Sequence, residues 1–517
     1  MARGMKMLWL LLLGWLLSPA AMAADAAFDA AFDDVMARYA LPGLAVGVVE
    51  NGEVVYTRTA GELVAGEGRK VDAQTLFKIA SNTKAMTTAT LARLVDAGKL
   101  RWDDPVTKYL PQFRMHDPWV TANMQVRDLL IHNSGLRAGA GDLMLWPEPN
   151  TFTRADIIHG LGYLQPQHSF RSRYDYDNLL YIVAGEVAAA AGGAPYETLV
   201  RREVFAPLGM ERCRVGEWHV DEVGNVAQPH MHRDGRNVPV RSDGDVIHAT
   251  TMEAAGGIRC SLDDMLTWVR AWLAPQGSAK AWLSPAQRQT VWTPQMTMPV
   301  SQRMREWDGS HFSAYGYGWR LADVDGDFKV SHTGTLMGMY SAVTMLPERG
   351  VGFVILINGE GDEARTVLTE VLVKHYTRRD PSLTVAHYAG LIAAEEGARP
   401  VAEKAPDTSD RRQATASELR ARLGIYRDPW FGEVSLCRDG DAVRLRATKS
   451  SLLDGIVQRV GDRWLVDWDD PSVDAEAWLQ FADRSDVPAL RLGKVDPQAD
   501  FSYDYEDLAF ARVRECP

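Results

Sequence analysis

At 517 residues the chain is longer than one ordinary domain, and its composition breaks between Gly397 and Ala414, so more than one folding unit is expected. Its formal net charge of −12 argues against nucleic acid or an anionic membrane surface as a partner, because both recruit proteins through basic patches.

Taken in chain order, Arg3 and Lys6 precede the apolar run Met7 to Leu17, and Ala21-Met22-Ala23 then supplies small residues for cleavage. This reads as a secretory signal peptide over 1–23. The run is too short for a membrane span, no cysteine follows the cleavage site to carry lipid, and no later stretch reaches about 20 apolar residues. The expectation is a periplasmic or secreted protein with no integral membrane segment after cleavage behind Ala23. Loss of the leader removes two cations and no acid, leaving the chain more acidic still.

Beyond the leader, Gly43 to Val49 and Val54 to Thr59 are apolar runs around Asn51-Gly52, a strong hairpin signal. Tyr340 to Leu346 and Val351 to Ile357 form a second pair around Pro347-Glu348-Arg349-Gly350. Helical patterns such as Thr83 to Ala97 and Leu179 to Ala191 lie between these strands. The predicted class for 24–396 is α/β in the α+β sense: an antiparallel sheet flanked by terminal helices, with a mostly helical lobe inserted into it. A Pro-containing, charged and weakly periodic stretch over 397–413 reads as a linker. From 414 to 517, short alternating runs (Val434 to Leu436, Val443 to Arg446, Trp464 to Trp468, Trp478 to Phe481, Leu490 to Leu492, Leu508 to Arg512) predict a small all-β barrel domain.

Chemistry enters at Ser81-Asn82-Thr83-Lys84, a Ser-x-x-Lys at the head of a helical pattern. Residues three apart on a helix share a face, so the Lys84 amine can reach the Ser81 hydroxyl. An amine serves as base at neutral pH only if burial or nearby cations keep it partly neutral, so Lys84 is expected in a protected cleft. By itself the spacing is common by chance and is better explained by a helix-capping serine and a solvated lysine. Three further segments alter that balance: Tyr176-Asp177-Asn178 ahead of an apolar helix, Ser331-His332-Thr333-Gly334-Thr335 between β-rich runs, and Ile131-His132-Asn133-Ser134-Gly135-Leu136, whose role looks structural. Tyr176 has a packing alternative and Asn178 a capping one.

In this order and spacing the segments resemble the serine β-lactamase and penicillin-binding superfamily, specifically its class C branch with the related esterases and D-aminopeptidases. The likeness extends to about residue 380 and includes Leu100 to Val106, Pro207-Leu208-Gly209-Met210, Ala255-Gly256-Gly257-Ile258 and Tyr315-Gly316-Tyr317-Gly318-Trp319. The resemblance implies Ser81 as nucleophile, Lys84 as its activating partner, Tyr176 as base and then acid, Asn178 on the substrate amide or carbonyl, and backbone N–H groups of Ser81 and Thr335 as the oxyanion hole. It also implies His332, Gly334 and Thr335 as substrate-binding. A lysine usually stands where His332 is, and a histidine, mostly neutral at pH 7, lacks the permanent cation suited to a carboxylate. His-x-Gly therefore looks more like the peptidase and esterase relatives. The domain over 414–517 resembles a lipocalin-like module that follows some of these hydrolases; it shows no nucleophile-base constellation, which suggests a stabilising or oligomerising role, with a substrate-access lid as the sharper alternative.

Other features weigh less. His230 and His232 lack companion ligands and read as loop histidines, so no metal is expected, and no cofactor. Trp146, Tyr315 and Trp319 are candidates for cleft walls or for core. Cys213 with Cys260 and Cys437 with Cys516 are candidate disulfides in an oxidising compartment, with four buried thiols as the alternative. The expected protein is a secreted serine hydrolase that forms an acyl-enzyme on small peptides, D-amino-acid amides or carboxylic esters. The alternatives are a β-lactamase or D-Ala-D-Ala carboxypeptidase and, in another class, a non-catalytic sensor or binding protein.

Overall fold

The computed structural model describes residues 19–274, 278–398, 400, 404–482 and 489–517. The apolar run of the expected leader lies outside them. Helix α1 (Pro19–Arg38) leads into the hairpin of β1 (Gly43–Glu50) and β2 (Glu53–Gly61). Asn51 (φ 52°) and Gly52 (φ 84°) turn the chain, and two successive positive φ values are what a tight two-residue hairpin demands. The remaining strands of the first sheet come much later: β3 (Met296–Thr297), β4 (Ser313–Tyr315), β5 (Arg320–Val324), β6 (Asp327–Leu336), β7 (Met339–Leu346) and β8 (Val351–Ile357). They pair antiparallel in the order β2-β1-β8-β7-β6-β5-β4-β3, so the N-terminal hairpin closes onto β8 across the whole helical lobe.

Strands β1 and β8 are near-continuous apolar runs because both their faces are covered. Leu44, Val46 and Val48 of β1 pack with Phe28, Phe32 and Val35 of α1 and with Val367 and Leu368 of α5 (Asp362–Thr377). Ala45 and Val49 point the other way, into the cluster that holds Leu266 and Val269 of α4 (Leu262–Leu273). The inserted lobe carries α2 (Thr83–Asp96) and α3 (Leu179–Gly192), which pack on each other at the centre of that larger cluster.

Helix α6 (Val385–Ala398) runs to the start of the expected linker, and β9 (Arg412–Gln413) already pairs within the second sheet before that stretch ends. The second sheet consists of β9, β10 (Gly424–Asp428), β11 (Gly432–Asp439), β12 (Ala442–Ala447), β13 (Asp454–Val460), β14 (Arg463–Trp468), β15 (Ala477–Phe481), β16 (Leu490–Lys494) and β17 (Ala511–Arg514). Its order is β16-β15-β14-β13-β12-β11-β10-β17, with β9 beside β13. The sheet curls into a half-barrel, and one isolated bridge joins Leu490, which opens β16, to Phe510, just ahead of β17. The last strand begins later than its apolar pattern suggests because Tyr505–Asp507 forms a 3₁₀ turn. Both cysteine pairs are bonded, Cys213 to Cys260 and Cys437 to Cys516.

The half-barrel packs directly on the helical lobe. Phe152 meets Phe431 with ring centroids 5.6 Å apart, and Met144, Phe152, Trp430 and Phe431 belong to one buried cluster. His230, expected in a loop, lies on a short hairpin of His230–Arg233 with Arg236–Pro239. It is buried, receives the Ala65 N–H on Nε2 at 3.0 Å and sits 2.7 Å from Asn358 O through Nδ1, so its role is structural. Among the described residues no single helix is long and apolar enough to cross a membrane.

Cys437 and Cys516 are 79 positions apart. A Cys437→Ser/Cys516→Ser double variant should lose about 2–4 kcal/mol of stability in the half-barrel by releasing that closed loop in the unfolded chain. Guanidinium unfolding of the oxidised wild type against the variant checks this through a lower midpoint.

Candidate active site

Ser81 sits in a 3₁₀ turn, Ala80–Asn82, immediately ahead of α2. The residue before it, Ala80, is buried with φ at +48°, a left-handed conformation costly for a residue with a Cβ and maintained only where surroundings over-determine it. Those surroundings are β6 and β7. Ser341 donates its hydroxyl to Ile79 O at 2.7 Å and accepts from Asn82 Nδ2 at 2.8 Å. At Gly334 an added Cβ would come within 2.2 Å of Ile79 O and 2.3 Å of Ser341 Oγ. Only glycine allows β6 to lie this close to the serine turn.

Lys84 is completely buried one turn along. Its amine lies 3.0 Å from Ser81 Oγ and donates to Asn178 Oδ1 at 2.8 Å and to Ala255 O at 2.9 Å. Amide and carbonyl oxygens only accept, so they claim two N–H bonds of a neutral amine and leave its lone pair directed at the Ser81 hydroxyl. Burial pulls the Lys84 amine down to about 7; Arg320 pulls the same way, while Asp142 and Asp177 oppose it. The amine is therefore poised to take a proton near neutral pH.

Tyr176 closes the other side. Lys84 Nζ lies 4.9 Å from its ring centroid, and the ring rests on His132 with centroids 4.3 Å apart. His132 Nδ1 accepts the Asp177 N–H at 3.0 Å, so the His132 segment supports the tyrosine from behind. Burial pushes the Tyr176 phenol up to about 12, against the lowering influence of Arg320 and the Ser81 hydrogen bond. At neutral pH it is a proton donor, and Lys84 is the better resting base.

Asn178 stands at the N-cap of α3, but its side chain makes no capping bond. It bridges Lys84 and Asp142 instead, donating Nδ2 to Asp142 Oδ2 at 2.8 Å.

His332 requires a correction. Thr333 and Thr335 line the cleft, whereas side chains on a strand alternate, so His332 and Gly334 face the protein body. His332 is fully buried; its Nε2 lies 2.8 Å from the Tyr315 hydroxyl and its Nδ1 2.7 Å from Thr333 O. Burial, with Arg320 and Lys84 nearby, holds its pKa well below the ordinary value, so it stays neutral. Gly334 likewise acts through close approach. Arg241 and Arg320 both line the cleft; Arg320 donates Nη1 to Thr333 Oγ1 at 2.9 Å and lies 5.9 Å from the Tyr176 ring centroid. Sequence reasoning stopped one residue short of it, at Trp319; the available signal was a single arginine opening an apolar strand. Thr335 is held by Arg365, whose Nη1 donates to Gly334 O at 2.7 Å and Thr335 Oγ1 at 2.9 Å.

The cleft has a volume of about 410 Å³. Of the three candidate aromatics, Trp146 lines it, while Tyr315 and Trp319 are entirely core. The half-barrel supplies part of the wall, including Asp500, Phe501 and Ser502, although no motif marks them.

Residues 28–376 match the family described as Beta-lactamase, and the chain belongs to that family of serine hydrolases. It is 28% identical to esterase EstB of Burkholderia gladioli over 66% of this chain and 93% of that protein. It is 26% identical to the unguisins hydrolase ungD′ of Aspergillus campestris over 65% of this chain, spanning 61% of that protein's length. A solved octameric penicillin-binding protein homologue from Pyrococcus abyssi superposes with a TM-score of 0.59 at 20% identity, covering 89% of this chain and 96% of the other. That breadth takes the shared fold beyond the family region.

Two outcomes follow from this geometry. Because Lys84 must lose its proton to act as base, kcat/KM for an activated ester should rise with pH through about 7 and then stay level, the Tyr176 phenol releasing its proton only near 12; a pH–rate profile measures this. Gly334→Val should lower ester hydrolysis by about 100-fold, since displacing the serine turn by even an ångström misplaces the nucleophile, while circular dichroism shows the sheet retained.

Proposed function

We propose that this protein is an acyl-enzyme hydrolase in which Ser81 attacks a carbonyl carbon of a small peptide, amide or ester. As the Oγ–carbon bond forms, the Ser81 proton passes to Lys84, and the negative oxygen is held by the backbone N–H groups of Ser81 and Thr335. The Tyr176 phenol donates a proton to the departing amine or alcohol, and Asn178 holds the acyl side. Water then attacks the acyl-enzyme and gives its proton to the Tyr176 phenolate; as the Oγ–carbon bond breaks and the acid departs, the Lys84 ammonium returns its proton to Ser81 Oγ. The observation that carries this reading is the Lys84 amine, buried and bonded so that its one free direction is Ser81.

The substrate class follows from Arg320. A half-buried guanidinium beside Thr333, in a cleft that also holds the nucleophile, favours substrates with a carboxylate near the scissile bond, such as short peptides with a free C-terminus. This same observation supports the second reading, a carboxypeptidase or β-lactam-reactive enzyme, more strongly than His332 does. The leader features over 1–23 support a site of action outside the cytoplasm.

Intact-mass analysis after treatment with a fluorophosphonate should show one adduct on the wild type and none on Ser81→Ala; an adduct elsewhere, or none on folded wild type, would overturn the acyl-enzyme reading. Arg320→Leu should raise KM by about tenfold or more for a dipeptide with a free carboxylate while changing KM for p-nitrophenyl butyrate by less than about threefold, as expected for loss of one charge-assisted contact.

A further inference from the structure

The half-barrel reaches the catalytic centre through a chain of hydrogen bonds. Ser502 donates its hydroxyl to Asp142 Oδ2 at 2.8 Å. That oxygen also accepts Asn178 Nδ2 at 2.8 Å, and Asn178 Oδ1 accepts the Lys84 amine at 2.8 Å. Two buried side chains, Asp142 and Asn178, thus connect a hydroxyl of the C-terminal domain to the base that faces Ser81.

The docking beneath this chain is built on both sides. Asp504, fully buried, accepts the N–H groups of Gly141 and Leu143, the two neighbours of Asp142. Arg137 pairs with Asp507 at 2.9 Å and reaches Glu506 at 3.5 Å. Gly139 has φ at +74°, and a Cβ there would fall 2.6 Å from Phe501 O, so a side chain at this position would unseat the loop. The N–H of Gly139 also donates to Tyr176 O at 2.9 Å, so the turn that receives the half-barrel holds the catalytic tyrosine as well.

We propose that Ser502 is a positioning residue of the active centre: through Asp142 and Asn178 it orients the Lys84 amine, making the C-terminal domain a working part of the catalytic machinery. This rests on the Ser81–Lys84 reading above. The reason is the ambiguity of an amide. Asn178 can present either its oxygen or its NH₂ to Lys84, and only the oxygen leaves the lysine lone pair free for Ser81. A carboxylate at Asp142 accepts but does not donate, which fixes the Asn178 NH₂ towards itself and the oxygen towards Lys84.

This orientation needs the carboxylate form; burial, with Asp177 adding like charge, holds the Asp142 pKa well above the ordinary value, and the bonds from Asn178 and Ser502 with nearby Lys84 are the opposing influences that favour the carboxylate. Asp504 lies close enough to sense the Asp142 charge. Lys84 is faced by Asp142, Asp177 and Arg320, by the rings of Tyr176 and Tyr181, and by neutral His132. Loss of the Ser502 hydroxyl therefore disfavours charge on Asp142, withdraws a charge that supports the ammonium form of Lys84, and lets the amine lose its proton at lower pH.

The test measures the second-order rate of Ser81 labelling by a fluorophosphonate across pH 5–10 in the full-length protein, with thermal melts as a fold control. Ser502→Ala should slow labelling on the alkaline plateau by about tenfold, the effect of losing one hydrogen bond to a charged group, and move the acid limb to lower pH. Ser502→Thr, which keeps the hydroxyl, should restore both. Asp142→Asn should move the limb in the same direction, and adding Ser502→Ala to it should change neither rate nor limb further. A Ser502→Ala profile matching wild type, a Ser502→Thr variant as slow as Ser502→Ala, or additive losses in the double variant would overturn the proposal. Wild type that does not label at all would instead overturn the hydrolase reading on which it rests.

Discussion

The structure turns on a lysine amine kept out of water. A solvated ammonium has three hydrogens to donate and no lone pair to offer, so Lys84 beside Ser81 would be inert on a surface. Complete burial, and two acceptors placed so that a neutral amine satisfies both, favour the neutral amine and leave its lone pair towards Ser81. Much of the architecture around it serves that end. Helix α2 carries Lys84 into the largest apolar cluster, α3 brings Asn178 across, and the Ala255 carbonyl completes the cage.

Burying a charge-capable group transfers constraint to its neighbours. Asp142 and Asp177 are themselves buried, and burial drives both carboxyls up from their ordinary range, so the polar centre persists only because its members bond one another. Ser134 donates to Asp177 at 3.0 Å, and Ser502 donates to Asp142 from a different domain. A network in which members depend on one another for their bonds has little tolerance for removal of one, and a loop of the half-barrel supplies one of those bonds.

The serine side obeys a different constraint, that of backbone approach. The strained Ala80 and the glycine at 334 are two halves of one contact: β6 presses on the turn that bears Ser81. His332 belongs to this support as well. Its ring, bonded to the Tyr315 hydroxyl and Thr333 O, fills the layer behind the cleft, and a guanidinium reaches the cleft from Arg320 on the neighbouring strand β5.

The sequence by itself determined the parts whose signal is local: the Asn51-Gly52 hairpin, the apolar strands β7 and β8, and the helices that carry Lys84 and Asn178, because turn chemistry, side-chain period and short spacings are written in adjacent residues. It also separated the α+β region from the all-β one by texture. Tertiary structure alone decided which side chains face the cleft. His332 and Thr333 are neighbours in the chain yet lie in different layers, since a strand sends successive side chains to opposite faces, and which face borders the cleft depends on what packs against the sheet. Tertiary structure alone also joined Ser502 to Asp142, 360 positions apart, because that bond exists only once two separately patterned domains have docked.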